Sequence, residues 1–341
     1  MKLGEALKLV HGGGQLSRDE ASVVFGVVLA GEADPVQLGG FLIALAKRRE
    51  SVAEIQGAAD AMRAAMTPLE HDFDDAIDTC GTGGSGLDSF NLSTAAGIVA
   101  AAAGARVVKH GNRNITSRCG SADLLEAAGI PLELSPTASR KVLEEVGITF
   151  LFAPRYHAAM RHAGPVRKSL GVRTIFNLLG PLCNPGGVKR QLLGVSDVTR
   201  LEDFAEVLHG LGTRAALVVH GAGGADELTL AGENSFAEVG ELGVGSLDAT
   251  ELGLEPAAVA ALDGGDAPRN LALLNELLGG ARGALHDALV LNSAAALVVA
   301  GLASTPVAGV ELAREILSSG AAREKFSQWC SVAQQRAGGD S

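Results

Sequence analysis

The chain has 341 residues, enough for two domains and a sizeable core. Hydrophobic residues make up 47% of it, yet no stretch approaches the roughly 18 uninterrupted apolar residues that a membrane span requires. A net charge of −11 opposes a nucleic-acid partner, whose phosphates would call for a basic face.

Four scattered cysteines (Cys80, Cys119, Cys183, Cys330) contain no C-x-x-C pair, which argues against a zinc site or disulfide framework and for reduced thiols. Glu5 in the first turn and the lack of an apolar h-region leave no signal-peptide pattern, so a soluble cytoplasmic protein is expected. From Leu3 to Met66 the pattern is helical, with helices near 3–10, 18–30, 35–48 and 52–65. Ser17 with Glu20 and Ser51 with Glu54 form capping boxes, and Asp34-Pro35 is an N-cap followed by proline at the first helical position. This bundle carries no chemistry of its own and reads as scaffold or dimer surface.

Thr67-Pro68 breaks the last of these helices, and the chain to Asp75 reads as a hinge. Strands and helices then alternate: strand 76–80, helix 94–103, strand 105–109, helices 121–128 and 136–146, strand 148–152. Such alternation predicts an α/β fold with a mostly parallel sheet, whose ligands collect beyond the carboxyl ends of the strands. Two polar loops fall there. The first, with glycines at 81, 83, 84 and 86, runs toward a helix whose N-cap is predicted at Ser93 or Thr94. Glycine permits positive φ, so the backbone N–H groups can close on an oxyanion beside the helix N-terminus. The second loop leaves its strand at Lys109 and supplies Asn112, Arg113, Thr116 and Ser117 as further donors. One glycine turn alone is most simply a tight turn, but two such loops suit a diphosphate. Neither fits the Walker pattern or the spaced G-x-G-x-x-G of dinucleotide folds.

Residues 152–184 show helical periodicity around 157–170 and a basic cluster of Arg155, Arg161, Arg167, Lys168 and Arg173. Most of these cations read as a solvated helix face. A helix at 200–210 leads into an apolar strand, Ala215–His220, followed by G-A-G-G-A-D-E-L-T. Next to a diphosphate site, Asp226 and Glu227 read as Mg²⁺ ligands, since that ion takes one or two carboxylates plus substrate oxygens and water. The remainder, including 264–270 and alanine-rich helices near 285–302 and 309–319, reads as framework.

The motifs G-T-G-G, S-F-N-L-S-T, K-H-G-N-R and G-S-A-D, in this order and spacing, resemble the anthranilate phosphoribosyltransferase family, and the likeness extends over essentially the whole chain. The resemblance implies a small N-terminal helical domain (1–70, with a returning segment near 157–185) and a larger α/β domain (71–341), the fold of the pyrimidine nucleoside phosphorylases. It implies that Gly81, Thr82, Gly83, Gly84, Ser89, Asn91, Ser93, Thr94, Lys109, Thr116 and Ser121 hold phosphoribosyl pyrophosphate. By the same likeness Gly81, His110, Asn112 and Arg167 hold anthranilate, Ser93, Asp226 and Glu227 hold Mg²⁺, and the protein is a homodimer. No general base is identified. A nucleoside phosphorylase and a non-catalytic nucleic-acid-binding relative of the same fold are the alternatives. Three positions depart from the family's usual pattern: Ser85 stands where the glycine loop usually has aspartate, Cys119 where the second loop has serine, and Ala158 where a proline follows His157. The missing carboxylate at 85 is expected to alter metal handling.

Overall fold

The computed structural model describes residues 1–113, 118–240 and 243–338. Four helices open the chain: α1 (Leu3–His11), α2 (Arg18–Leu29), α3 (Pro35–Arg48) and α4 (Val52–Ala65). Ser17 accepts from the Glu20 N–H and Ser51 from the Glu54 N–H, while Asp34 accepts from Val36 and Gln37, so the caps legible in the sequence set these boundaries. Glu54 is fully buried because it also accepts from the Leu16 N–H and pairs with Arg48.

The remaining chain runs β1 (Ile77–Gly81), α5 (Leu92–Ala102), β2 (Val107–Gly111), α6 (Ser121–Ala127), α7 (Pro136–Val146), β3 (Ile148–Phe152), α8 (Ala153–Tyr156), α9 (Gly164–Leu170), α10 (Phe176–Leu179), β4 (Arg190–Gly194), α11 (Leu201–Gly210), β5 (Ala215–His220), β6 (Glu233–Val239), β7 (Val244–Asp248), α12 (Ala267–Leu278), α13 (Ala284–Ala300), α14 (Pro306–Ser318) and α15 (Ala321–Gly338). The strands form one sheet in the order β3-β2-β1-β4-β5-β6-β7, parallel from β3 to β5 and antiparallel at β6 and β7.

Alternation along each strand sorts the core onto two faces. In β4, Leu192 packs with Ile77, Val107, Ile148 and the helices α5, α13 and α14, while its neighbour Leu193 packs with α4, α11 and the N-terminal bundle. Helix α13 is apolar around its whole circumference because it is buried on every side. Ala163, Ile175, Phe176, Leu179 and Leu182 join the cluster of α1–α4, so the segment after β3 packs back on the bundle.

The continuous helix expected over 157–170 is instead broken: a short turn at 158–161 precedes α9, which restarts at Gly164-Pro165 and ends at Gly171 in the left-handed conformation. Proline is tolerated at a helix's first positions and glycine at its C-terminal cap, so this sequence specifies a short helix. Among the described residues no helix is long and apolar enough to cross a membrane.

Candidate active site

The strand order reverses direction between β1 and β4, and a crevice opens beyond their carboxyl ends. Both strands end in glycine, Gly81 paired with Gly194, and both glycines are needed because the loop after β5 crosses directly over them. A Cβ at Gly194 would collide with the Asp226 carbonyl, and one at Gly81 would lie 2.5 Å from Asp226 Oδ2. This close approach places Asp226 and Glu227 against the glycine loop. Asp226 Oδ2 accepts from the Gly83 N–H at 2.8 Å, and Glu227 Oε1 accepts from the Ser93 N–H at 3.1 Å.

The first loop turns through positive φ at Gly83, Gly84 and Gly86. The N–H groups of Gly84, Ser85 and Gly86 make no hydrogen bond among the described residues, and all three residues line the cleft, a run of donors of the kind that binds anions. The helix behind the loop starts two or three residues earlier than expected: its N-cap is Asn91, so Ser93 and Thr94 lie in the first turn. Lys109 is 1% exposed and donates to the Thr79 carbonyl and, at 3.2 Å, to Ser93 Oγ. Burial lowers its pKa, opposed by the charges of Asp78 and Glu227. Glu227 is pushed up to about 8, first by loss of solvent and then by the neighbouring Asp226. A carboxyl whose charge is disfavoured by burial and by an adjacent acid belongs to a site that gains from a cation.

Two cavities meet in this crevice. The polar one, of about 710 Å³, is lined by the glycine loop, Asn91, Ser93, Lys109, Ser121, Asp226 and Glu227. The other, of about 510 Å³, is lined largely by apolar groups, among them Met62, Pro154, Met160, Phe176 and Pro181. Gly81, Thr82, His110, Asn112, Arg167 and Asn177 line both. Apart from Thr94 and Thr116, the residues expected at a diphosphate and those expected at an aromatic acid therefore fall on one continuous surface, the second set at the junction.

Arg167 is partly buried with its guanidinium 5.3 Å from the Phe176 ring centre, and its side chain makes no ion pair or hydrogen bond among the described residues. Arg113, by contrast, pairs with Glu126 at 2.6 Å and Asp123 at 3.2 Å while it lines the polar cavity. Thr94 is fully buried beneath the helix start and does not line the polar cavity. Thr116 and Ser117 lie outside the described residues. Lys168 and Arg173, read from sequence as solvated, line the polar cavity, and Arg173 donates to the Thr82 carbonyl at 3.3 Å. Both are exposed, so they are solvated as read and at the same time border the cavity. The stretch 264–270, read as framework, lies directly behind the glycine loop: the Phe90 N–H donates to the Leu262 carbonyl at 2.6 Å, and Asn270 accepts from Asn91.

His110 and His157 stand 5.0 Å apart, both nearly buried. Nδ1 of His110 faces the Gly180 carbonyl at 3.1 Å and so carries the proton, leaving Nε2 as an acceptor with no partner among the described residues. Burial, then the neighbouring ring, lowers His110 to about 3, and burial lowers His157 to about 4. Both rings are neutral in the fold, whereas in the unfolded chain each takes up a proton below about 6.5. The stability tied to their neutrality is complete above that value and is lost as pH falls toward the folded values. At pH 5.5 each ring is expected to cost about 1.4 kcal/mol relative to neutral pH. Urea unfolding of the wild type and His157→Gln at pH 7.5 and 5.5 checks this: the variant should lose less stability on acidification, and equal losses would show that the ring protonates in place.

Comparison with known proteins agrees with this geometry. Residues 5–66 match the helical bundle domain of the glycosyl transferase family and residues 73–323 its a/b domain. Anthranilate phosphoribosyltransferase of Thioalkalivibrio sulfidiphilus is 45% identical over 330 residues, covering 96% of this chain and 98% of that protein. Its counterpart in Desulforudis audaxviator is 47% identical over 328 residues, covering 95% and 94%. The crystal structure of anthranilate phosphoribosyltransferase from Thermus thermophilus superposes with a TM-score of 0.92 at 46% identity, covering 96% of this chain and 99% of that one. That of Saccharomyces cerevisiae in complex with PRPP and Mg superposes at 0.91 with 25% identity, covering 98% of each chain. With both domains matched and near-complete coverage at this identity, the chain belongs to the anthranilate phosphoribosyltransferase family.

Proposed function

We propose that the chain transfers the phosphoribosyl group of phosphoribosyl pyrophosphate to anthranilate, giving N-(5-phosphoribosyl)anthranilate and diphosphate in tryptophan biosynthesis. The observation that carries this reading is the junction: a polar cavity with a backbone-donor loop and an acid pair opens into a largely apolar one across Gly81, His110, Asn112 and Arg167. One cavity suits a diphosphate ester and the other a flat aromatic acid. Following the loss of anthranilate fluorescence with phosphoribosyl pyrophosphate and Mg²⁺ tests it directly, and no loss at any protein concentration would sink it.

The residues present fit Mg²⁺. Asp226 and Glu227 each commit one oxygen to a backbone N–H and keep the other without a hydrogen bond among the described residues, and Ser93 stands beside them. When bound, the ion would offset negative charge gathering on the departing diphosphate. The free N–H groups of Gly84 to Gly86, the N-terminus of α5 and the cations Lys168 and Arg173 add fixed positive potential to the same end of the cavity. The aryl amine of anthranilate is uncharged at neutral pH, so its lone pair needs no strong base. Arg167 and the junction residues would hold that amine against the anomeric carbon, which supplies the rest by orientation.

Ser85 lines the polar cavity and accepts only a long 3.4 Å contact from the Leu87 N–H, so an added carboxylate there would face the diphosphate end and not the aromatic one. Ser85→Asp is expected to change the Mg²⁺ dependence of turnover more than the KM for anthranilate. Titrations of each in turn would check it, and an unaltered Mg²⁺ profile would remove the assignment.

A homodimer is supported by the outer face of α3. Val36 is 82% exposed and Ile43 42%, and with Pro165, Val166 and Leu170 of α9 they line an apolar groove of about 610 Å³. A second copy covering this face would withdraw it from water and brace the helix that carries Arg167. Sedimentation velocity should give twice the protomer mass, and Val36→Glu should shift it toward one. Four free cysteines suit the cytoplasm as its place of work.

A further inference from the structure

Behind the glycine loop, Asn270 at the start of α12 is fully buried and does not line either cavity. Its Nδ2 donates to the carbonyls of Gly265 at 3.1 Å and Asp266 at 3.4 Å, both obligatory acceptors, so the orientation of the amide is fixed. Its Oδ1 accepts from the Asn91 backbone N–H at 3.0 Å, an obligatory donor, which fixes the other end. The same oxygen accepts from Asn91 Nδ2 at 3.1 Å, and that nitrogen also reaches the Cys119 carbonyl at 3.4 Å. It also lies 3.3 Å from Cys119 Sγ, whose own proton is directed to the Gly120 carbonyl at 3.5 Å, so the sulfur accepts here as the two oxygens do and both hydrogens of Nδ2 are committed to protein. Asn91 Oδ1 accepts no hydrogen bond among the described residues, while the residue lines the polar cavity. The support is stiff. Gly264 donates to the Asp88 carbonyl at 2.9 Å and packs so closely that a Cβ there would strike the Phe90 backbone, and Ser89 pairs with Asp263 in a β-bridge.

We infer that Asn270 is a positioning residue: it holds the Asn91 amide with its oxygen toward the cleft, so that Asn91 receives a hydrogen bond from a ribosyl hydroxyl and does not donate to a phosphate. Phosphate oxygens are acceptors and gain nothing from a second acceptor, whereas a sugar hydroxyl supplies the donor that this oxygen lacks. The inference rests on the functional reading above and goes beyond it by dividing the cavity: the loop N–H groups and acid pair serve the diphosphate, and Asn91, set by Asn270, serves the sugar.

Isothermal titration of the full chain in Mg²⁺ with two probes, phosphoribosyl pyrophosphate and inorganic diphosphate, tests the division. Asn270→Ala and Asn91→Ala should each weaken the phosphoribosyl probe roughly fivefold to tenfold, the value of one neutral hydrogen bond, and leave diphosphate within about twofold. A merely structural role would move both probes together, and that result, or no change in either, would overturn the inference. Should Asn270→Ala fail to fold by circular dichroism, Asn91→Ala, which leaves the α12 core intact, decides alone. A wild-type protein that transfers phosphoribosyl to anthranilate while the variants keep full affinity would remove this inference only; one that binds no phosphoribosyl pyrophosphate would remove the functional reading as well.

Discussion

Replacing Asp226 by Asn together with Glu227 by Gln is expected to remove turnover, a loss of at least about a hundredfold in kcat, and to leave the fold intact. An ion that stabilises a departing diphosphate contributes several kcal/mol to the transition state, and a site stripped of both carboxylates no longer retains it. The fold survives because each amide keeps the oxygen that its carboxylate offers to the protein: the new side chain at 226 can still accept from the Gly83 N–H, and the one at 227 from the Ser93 N–H. Replacing Glu227 also removes a carboxyl that burial and Asp226 already hold up at about 8, so the neutral side chain sits there without added strain. Circular dichroism checks the fold and a Mg²⁺ titration of activity checks the role. Near-normal rates in the double variant at any Mg²⁺ concentration would end the metal assignment.

Arg167→Ala should lower kcat/KM for anthranilate by roughly tenfold to a hundredfold, the value of a charge-assisted contact of about 1.5 to 3 kcal/mol. The guanidinium is partly buried, braced 5.3 Å from the Phe176 ring, and without a carboxylate among the described residues. A cation kept in that condition is poised for an anion from outside, and a planar fork of donors matches a carboxylate. Arg167 lines both cavities, so the kinetics must separate the substrates. Varying each in turn should show the effect on anthranilate and a much smaller one on phosphoribosyl pyrophosphate. The reverse pattern would place Arg167 at the diphosphate, and no effect on either would return it to a solvated face.

The parts of this molecule that sequence reveals are those whose causes are local. Ser17, Ser51 and Asp34 cap helices within three residues of themselves, so those boundaries could be read directly. The glycine loop and the Asp226-Glu227 pair were legible for the same reason: each is a short string whose residue types permit little else. What escaped depends on distant partners. β4 is only five residues with an arginine and a glutamine in it, and it is a strand because β1 and β5 lie on either side. Asn270 looks like any helix residue until Asn91, 179 positions earlier, supplies its donors. Lys168 and Arg173 are exposed charges, and that they border the polar cavity follows from where the segment after β3 packs and from nothing in their own neighbourhood in sequence. Thr94 fails in the opposite sense, a good capping type that the helix start carried into the interior.

The crossing of the Asp226 loop over Gly81 and Gly194 changes which positions count as part of the site. Neither glycine carries a functional group, yet each is the floor on which an acid residue rests, and even a methyl at 194 would lift the Asp226 backbone off the sheet. The geometry that holds Asp226 therefore extends to two strand ends that have no side chain to offer. A variant enzyme impaired at 194 would look, in its kinetics, like one impaired at 226, and the lesion would be found by inspecting the sheet and not the pocket.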